Sequence, residues 1–152
     1  MPSTVEPLTE PQDQTLQTLL SYWYEKRGER TAPSRADIEP ERLAPLLPYL
    51  ALYDVLDGDF RVRLFGTGLV LAYDGNITGK LMSDCDLNGI NSELAEQLAE
   101  VVRERRPNVL RAKFAKKTDN RYLKYERIAL PLSADGETVN MILCGYHVER
   151  AF

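Results

Sequence analysis

The chain has 152 residues, of which 43% are hydrophobic and 28% charged, and a formal net charge of −4. That length suits a single domain with a real core, the apolar fraction argues against wholesale disorder, and no apolar run approaches the roughly 20 residues of a membrane span. Two cysteines and one histidine argue against a zinc site; Cys85 and Cys144 lie outside any C-x-x-C pair and read as reduced thiols of a cytoplasmic protein, with nothing to support a disulfide.

The opening residues, MPSTVEPLTEPQDQ, are acidic and polar, without the basic start or apolar run of a signal peptide. Residues 1–8 are expected to be a flexible tail, and residues 9–152 a single domain. Thr9-Glu10-Pro11-Gln12 has the pattern of a capping box, which opens a helix over residues 10–27. Leu16, Leu19, Leu20 and Trp23 line one stripe of that helix, and Gly28 ends it after Lys26 and Arg27. The stripe carries the sole tryptophan and needs cover, either from the chain's own sheet or from a second subunit. Trp23 is therefore a candidate partner-binding residue, and the helix a candidate homodimer interface.

Pro33 and Pro40 stiffen the next segment, where Arg35 and Asp37 are placed for local hydrogen bonds; an anion site at Arg35 is the sharper alternative. Pro40 suits the first position of a short helix through about Ala44, with Ile38 and Leu43 spaced as a hydrophobic staple. Residues 49–56 read as a strand, and Asp57-Gly58 turns it into a second strand over 60–65. Phe60, Val62 and Leu64 alternate there with Arg61, Arg63 and Phe65. Gly66 breaks the alternation, Thr67 can cap a short helix, and Leu69, Val70 and Tyr73 recur at helical spacing. Residues 59–82 thus form a compact corner around which the rest is arranged.

A long helix is expected over 91–106, with Leu94, Leu98 and Val102 four apart and Ala95, Ala99 and Val101 widening the stripe. Strands are expected near 109–116, 122–132 and 138–148, the last two joined by a tight turn at Ala134-Asp135-Gly136. The last strand is apolar on both faces, as suits a central strand covered by helices on each side. The fold class is α+β: a five-stranded antiparallel sheet with its first strand beside its last, a helical run on one face and an N-terminal helix.

This is the element order of a PAS domain. Tyr22-Trp23, the segment Pro33 to Pro40, Leu46-Leu47-Pro48, Arg61 to Thr67 and Leu130-Pro131-Leu132 resemble a family of small stand-alone PAS-like proteins common in alphaproteobacteria. The likeness covers the chain from about Leu19 to Val148. It implies a PAS-like fold and a sensory or regulatory role, and supplies no catalytic residues. No kinase, cyclase or helix-turn-helix segment is legible after the last strand.

Catalytic candidates are few, and the chain reads as non-enzymatic. His147 is the only histidine and suits a structural role. Heme-binding PAS domains usually take a histidine from the long helix, which has none here. Flavin photosensors of the fold carry an N-C-R-F-L-Q word, which Ser83-Asp84-Cys85-Asp86-Leu87 does not match. No cofactor is expected. Two readings from different classes remain. In one, a small apolar or amphipathic ligand enters between the sheet and the 91–106 helix, with Tyr73, Met82, Tyr125 and Cys144 as its walls, although core packing accounts for each equally well. In the other, the core is closed and the chain is a protein–protein interaction module. Residues 103–127 hold ten Lys or Arg against three acids, so Arg111, Lys113, Lys116 and Lys117 are assigned to an acidic regulatory partner protein; internal neutralisation is the plainer account of the same charges, and nucleic acid is disfavoured by the acidic chain.

Overall fold

In a computed structural model, residues 4–73, 75–85, 91–115 and 122–150 are described. The period-two segments form the strands β2 (Leu50–Leu56), β3 (Asp59–Phe65), β4 (Asn108–Ala115), β5 (Tyr122–Leu132) and β6 (Met141–Arg150). A sixth, β1 (Thr4–Leu8), completes an antiparallel sheet in the order β1-β4-β5-β6-β2-β3. The first of the expected strands does lie beside the last, β2 against β6.

The sixth strand is a correction, because a flexible tail is expected at residues 1–8. Pro7 hides the strand in the sequence, but proline is tolerated on an edge strand whose N–H side faces outward. The register puts Glu6 opposite Arg111 and Leu8 opposite Val109. The Glu6 carboxylate lies 3.9 Å from the Arg111 guanidinium, and Val5 and Leu8 pack onto apolar clusters on opposite sides of the sheet.

Helix α1 (Gln14–Arg27) also starts later than its sequence implies. The cap is Asp13, whose carboxylate accepts the Leu16 N–H at 3.0 Å, rather than Thr9. The delay has a cause. The Gln12 and Asp13 N–H groups donate to the buried Glu126 carboxylate on β5, at 2.7 and 2.9 Å. At the other end the Trp23 indole N–H donates to the Pro131 carbonyl, also on β5, at 2.8 Å. Strand β5 thereby holds the helix at two points. Between them α1 lies so close over β6 that a Cβ on Gly145 would come within 2.6 Å of Leu19 Cδ2. Of the two placements open to this helix, the chain's own sheet is the one found, with Trp23 only 1% exposed.

Two apolar clusters lie on opposite faces of the sheet. Leu16, Leu19 and Trp23 meet Leu130, Met141 and Leu143 on the α1 face. Val62, Ile142 and Cys144 on the other face meet Leu69 of α2 (Thr67–Tyr73) and Leu98 and Val101 of α3 (Asn91–Glu104). Consecutive residues in the first half of β6 point to opposite clusters, which is why Met141 to Cys144 are all apolar.

The short helix after Pro40 is a 3-10 helix that runs on to Tyr49, through Pro45 and Pro48. Its end packs under the Gly66-Thr67-Gly68 corner, where Leu69 and Val70 N–H donate to the Gly66 carbonyl at 3.0 and 2.9 Å. The Asp37 carboxylate is bonded by Ser34 and Arg30, not by Arg35. Beside β3, residues 79–81 double back. Val62 N–H donates to the Lys80 carbonyl at 2.9 Å, and Gly79 N–H donates to the Val62 carbonyl at 2.6 Å. Among the described residues no helix is long and apolar enough to cross a membrane.

The turn into β6 is organised by one carboxylate. Asp135 Oδ1 accepts from the Glu137 and Thr138 N–H groups at 2.8 and 2.7 Å and from the Ser133 hydroxyl at 2.8 Å. These bonds hold its carboxyl at about 2, below the ordinary 3.8. A depressed carboxyl stabilises the fold above its unfolded value and loses that contribution as pH falls through its folded value. The gap in urea midpoint between wild type and Asp135→Ala should be constant above pH about 5 and close as pH approaches the folded value. A gap independent of pH would show that the ionised form does not matter to the turn.

Candidate functional site

The face of the sheet opposite α1 does not close completely. A cavity of about 60 Å³ remains beneath α2 and α3. Helix α2 contributes Leu69, Ala72 and Tyr73, and α3 contributes Leu94 and Leu98. Ile77 and Met82 close the side between those helices. The floor is sheet: Tyr53 from β2, Leu123, Tyr125 and Arg127 from β5, and Tyr146 and Val148 from β6.

Alternation along β5 sets this floor. Leu123, Tyr125, Arg127 and Ala129 point to the cavity face, whereas Glu126, Ile128 and Leu130 point toward α1. Pairing between β5 and β6 puts Arg127 opposite Tyr146 and Tyr125 opposite Val148. The Tyr125 and Tyr146 rings sit 5.5 Å apart and tilted, and the Tyr146 hydroxyl lies 3.4 Å from that of Tyr53. At the mouth, Phe65 and Tyr73 meet edge to face with centroids 6.0 Å apart.

The electrostatics of the cavity are dominated by one cation. Arg127 is 1% exposed. Its Nη2 donates to Asn108 Oδ1 at 3.0 Å, and Asn108 Nδ2 in turn donates to Gln97 Oε1 of α3 at 2.9 Å. Among the described residues the Arg127 Nε–H has no hydrogen-bond partner. Among the described residues no carboxylate lies within ion-pair reach of this guanidinium. Burial pushes the surrounding phenols up: Tyr125 to about 12, and Tyr53 and Tyr146 well above the ordinary value of 10. It also pushes the Cys144 thiol to about 11. In each case the Arg127 charge pulls back, and desolvation wins.

Of the four wall residues expected from the sequence, Tyr73, Met82 and Tyr125 line the cavity. Cys144 does not. It is fully buried one rung further along β6, paired with Ala51 and Ala129. Tyr146 and Arg127 occupy the next same-face positions and stand between it and the space. Sequence reasoning missed Tyr53, Tyr146 and above all Arg127, which it counted among surface charges. The available signal was the period-two relation that puts Arg127 on the same face as Tyr125.

The expected partner-binding residues are differently placed. Trp23 belongs to the core under α1. Lys116 and Lys117 lie outside the described residues. Arg111 and Lys113 border a polar hollow of about 490 Å³ on the α1 side of the sheet. Across that hollow the pairing gives a ladder of alternating sign, Glu6 to Arg111 to Glu126, with His147 next across the sheet. Arg111 also donates to the Gln12 side-chain carbonyl, and His147 Nδ1 lies 3.3 Å from the Asp13 carboxylate. Arg111 is thus flanked by acids, whereas Lys113 stands opposite Lys124 in the pairing of β4 with β5.

No curated protein matches the chain. Among solved structures, a light-oxygen-voltage domain studied with a flavin analogue is similar in fold, at 11% identity and a TM-score of 0.55, over 72% of this chain and 82% of that one. An RNA-binding light-oxygen-voltage receptor is similar at 11% identity and a TM-score of 0.50, over 95% of this chain and 38% of that one. A family model described as PAS domain matches residues 12–146. With the sheet order, the helical run over one face and the cavity beneath it, that match shows that the chain belongs to the PAS domain family.

Proposed function

We propose that this chain is a non-catalytic sensory module. A small ligand enters between the sheet and α3 and shifts the helices above it, and the altered surface is read by a regulatory partner protein. The observation that carries the reading is the convergence of Arg127 and four tyrosines on one apolar cavity. Apolar walls with a few directed polar groups are the usual make-up of a ligand site. The raised phenols and thiol are far from neutrality, which suits binding better than proton transfer at pH 7. Tyr73, Met82 and Tyr125 are its proposed walls, joined by Tyr53 and Tyr146. A cytoplasmic site of action is in keeping with two buried free thiols.

A flavin does not suit this cavity. Its volume of about 60 Å³ is small for an isoalloxazine, since sites for drug-sized ligands run to roughly 300–1,000 Å³. Cys85 is absent from the described lining, and its thiol donates to the Leu81 carbonyl at 3.3 Å. The same small volume favours a second reading, in which the core is closed and the chain acts only through its surface.

Native mass spectrometry of freshly purified protein separates the two. The sensory reading expects a species heavier than the bare chain that returns to the bare mass on denaturation. Only bare chain, in every preparation and after incubation with a small-molecule extract, would leave the closed-core module.

A further inference from the structure

We propose that the cavity takes a small organic anion, a carboxylate with a short apolar tail, and that Arg127 is its receptor. The proposal rests on the sensory reading above and names the class of ligand. A guanidinium does not lose its proton in a protein, so Arg127 carries full charge in its buried position. A buried charge without a counter-charge is costly. Among the described residues the one side-chain hydrogen-bond partner of Arg127 is the neutral Asn108 amide, and its Nε–H meets no acceptor. The acid next to it in sequence offers no relief. Glu126 faces the other side of the sheet, where the Gln12 and Asp13 N–H groups occupy its carboxylate.

The surroundings define what completes the site. A carboxylate is planar and accepts from Nε–H and a neighbouring guanidinium N–H together, the fork geometry that arginine provides. The Tyr53 and Tyr146 hydroxyls lie 3.4 Å apart, so one donates to the other and the second remains as a hydroxyl donor to the same oxygens. Beyond the polar end, Leu69, Ile77, Met82, Leu94 and Leu98 line the cavity. They suit a hydrocarbon tail, and the volume of about 60 Å³ keeps that tail short. Among the described lining residues there is no second cation, which suits a monoanion better than a phosphate dianion.

The test uses thermal melts and ligand-observed NMR on the full chain at constant ionic strength. The probes are acetate, butyrate and hexanoate, with butyramide as the neutral isostere and inorganic phosphate as the tailless anion. In the wild type at least one carboxylate should raise Tm by several degrees at saturating concentration, with butyramide at least tenfold weaker than butyrate and phosphate inert. Arg127→Leu should melt at or above the wild type, because an uncompensated buried charge is gone, and should lose the carboxylate response. If Arg127→Leu does not fold, Arg127→Lys keeps the charge without the fork and should bind the carboxylate at least tenfold more weakly. Equal shifts with butyrate and butyramide, in wild type and variant alike, would overturn the anion site while leaving an apolar ligand pocket intact. Equal response to phosphate, or unchanged carboxylate affinity in Arg127→Lys, would overturn it too. No response to any carboxylate, with a lowered Tm in Arg127→Leu, would reduce Arg127 to a structural tie between β5 and Asn108.

Discussion

Trp23→Ala is expected to lower the unfolding free energy by about 3–5 kcal/mol, which for a chain of this size moves Tm by on the order of 10 °C. The indole is 1% exposed and lies at the centre of the contact between α1 and the sheet. Its removal leaves a cavity that the neighbouring leucines can fill only in part. It also leaves the Pro131 carbonyl without the donor that reaches it at 2.8 Å. Trp23→Phe separates the two effects: the ring largely survives, and the lost hydrogen bond should cost about 1–3 kcal/mol as an unsatisfied buried acceptor. Urea unfolding followed by circular dichroism measures both. A loss under about 1 kcal/mol in Trp23→Ala would mean that α1 is not seated through this ring.

Gly66→Ala should destabilise by about 3 kcal/mol or more, at or beyond the upper end of ordinary overpacking. A Cβ there would sit 2.3 Å from the Pro48 carbonyl oxygen and 2.5 Å from that of Leu47. Both obstacles are backbone, so no rotamer change relieves them. Gly66 is also tied in place, its N–H donating to the Leu50 carbonyl at 2.9 Å. The corner must therefore open, and α2, which roofs the cavity, must move with it. Gly75→Ala is the control. The nearest atom to its Cβ is 3.7 Å away, and the change should stay within about 0.5 kcal/mol. Equal midpoints for the two variants in urea would show that the close approach at Gly66 is not a constraint.

Alternation made five of the six strands legible in the sequence, because a half-buried strand shows its two faces residue by residue. The same rule failed for β1, which is five residues long, contains a proline and owes its pairing to Arg111 and Val109 more than a hundred residues away. Helix α1 was legible as a stripe but not in its first turn. Its start is set by the Glu126 carboxylate, a partner in sequence-distant β5. At the Gly66 corner the sequence showed a glycine that breaks the strand alternation; its reason, a backbone passing beneath, belongs to tertiary structure. The candidate site was half legible. Tyr73, Met82 and Tyr125 reach the cavity from three separate elements, whereas Arg127 was hidden among ten basic residues that composition alone cannot sort into buried and solvated.

The doubling-back of residues 79–81 has a consequence for how copies of this chain can meet. An open sheet offers its outer strands as templates on which another chain can extend the hydrogen-bond ladder. Here the outward N–H and C=O of Val62 are already taken by Lys80 and Gly79, and the Arg61 guanidinium donates to the Gly79 carbonyl at 2.9 Å and holds that cover down. At the opposite rim, Pro7 of β1 has no N–H to give and Glu6 puts a charge beside it. Neither rim presents an uninterrupted ladder, so self-association by growth of the sheet is obstructed at both ends. Contacts between copies would then fall to the helical faces, α1 on one side of the sheet and α2 with α3 on the other.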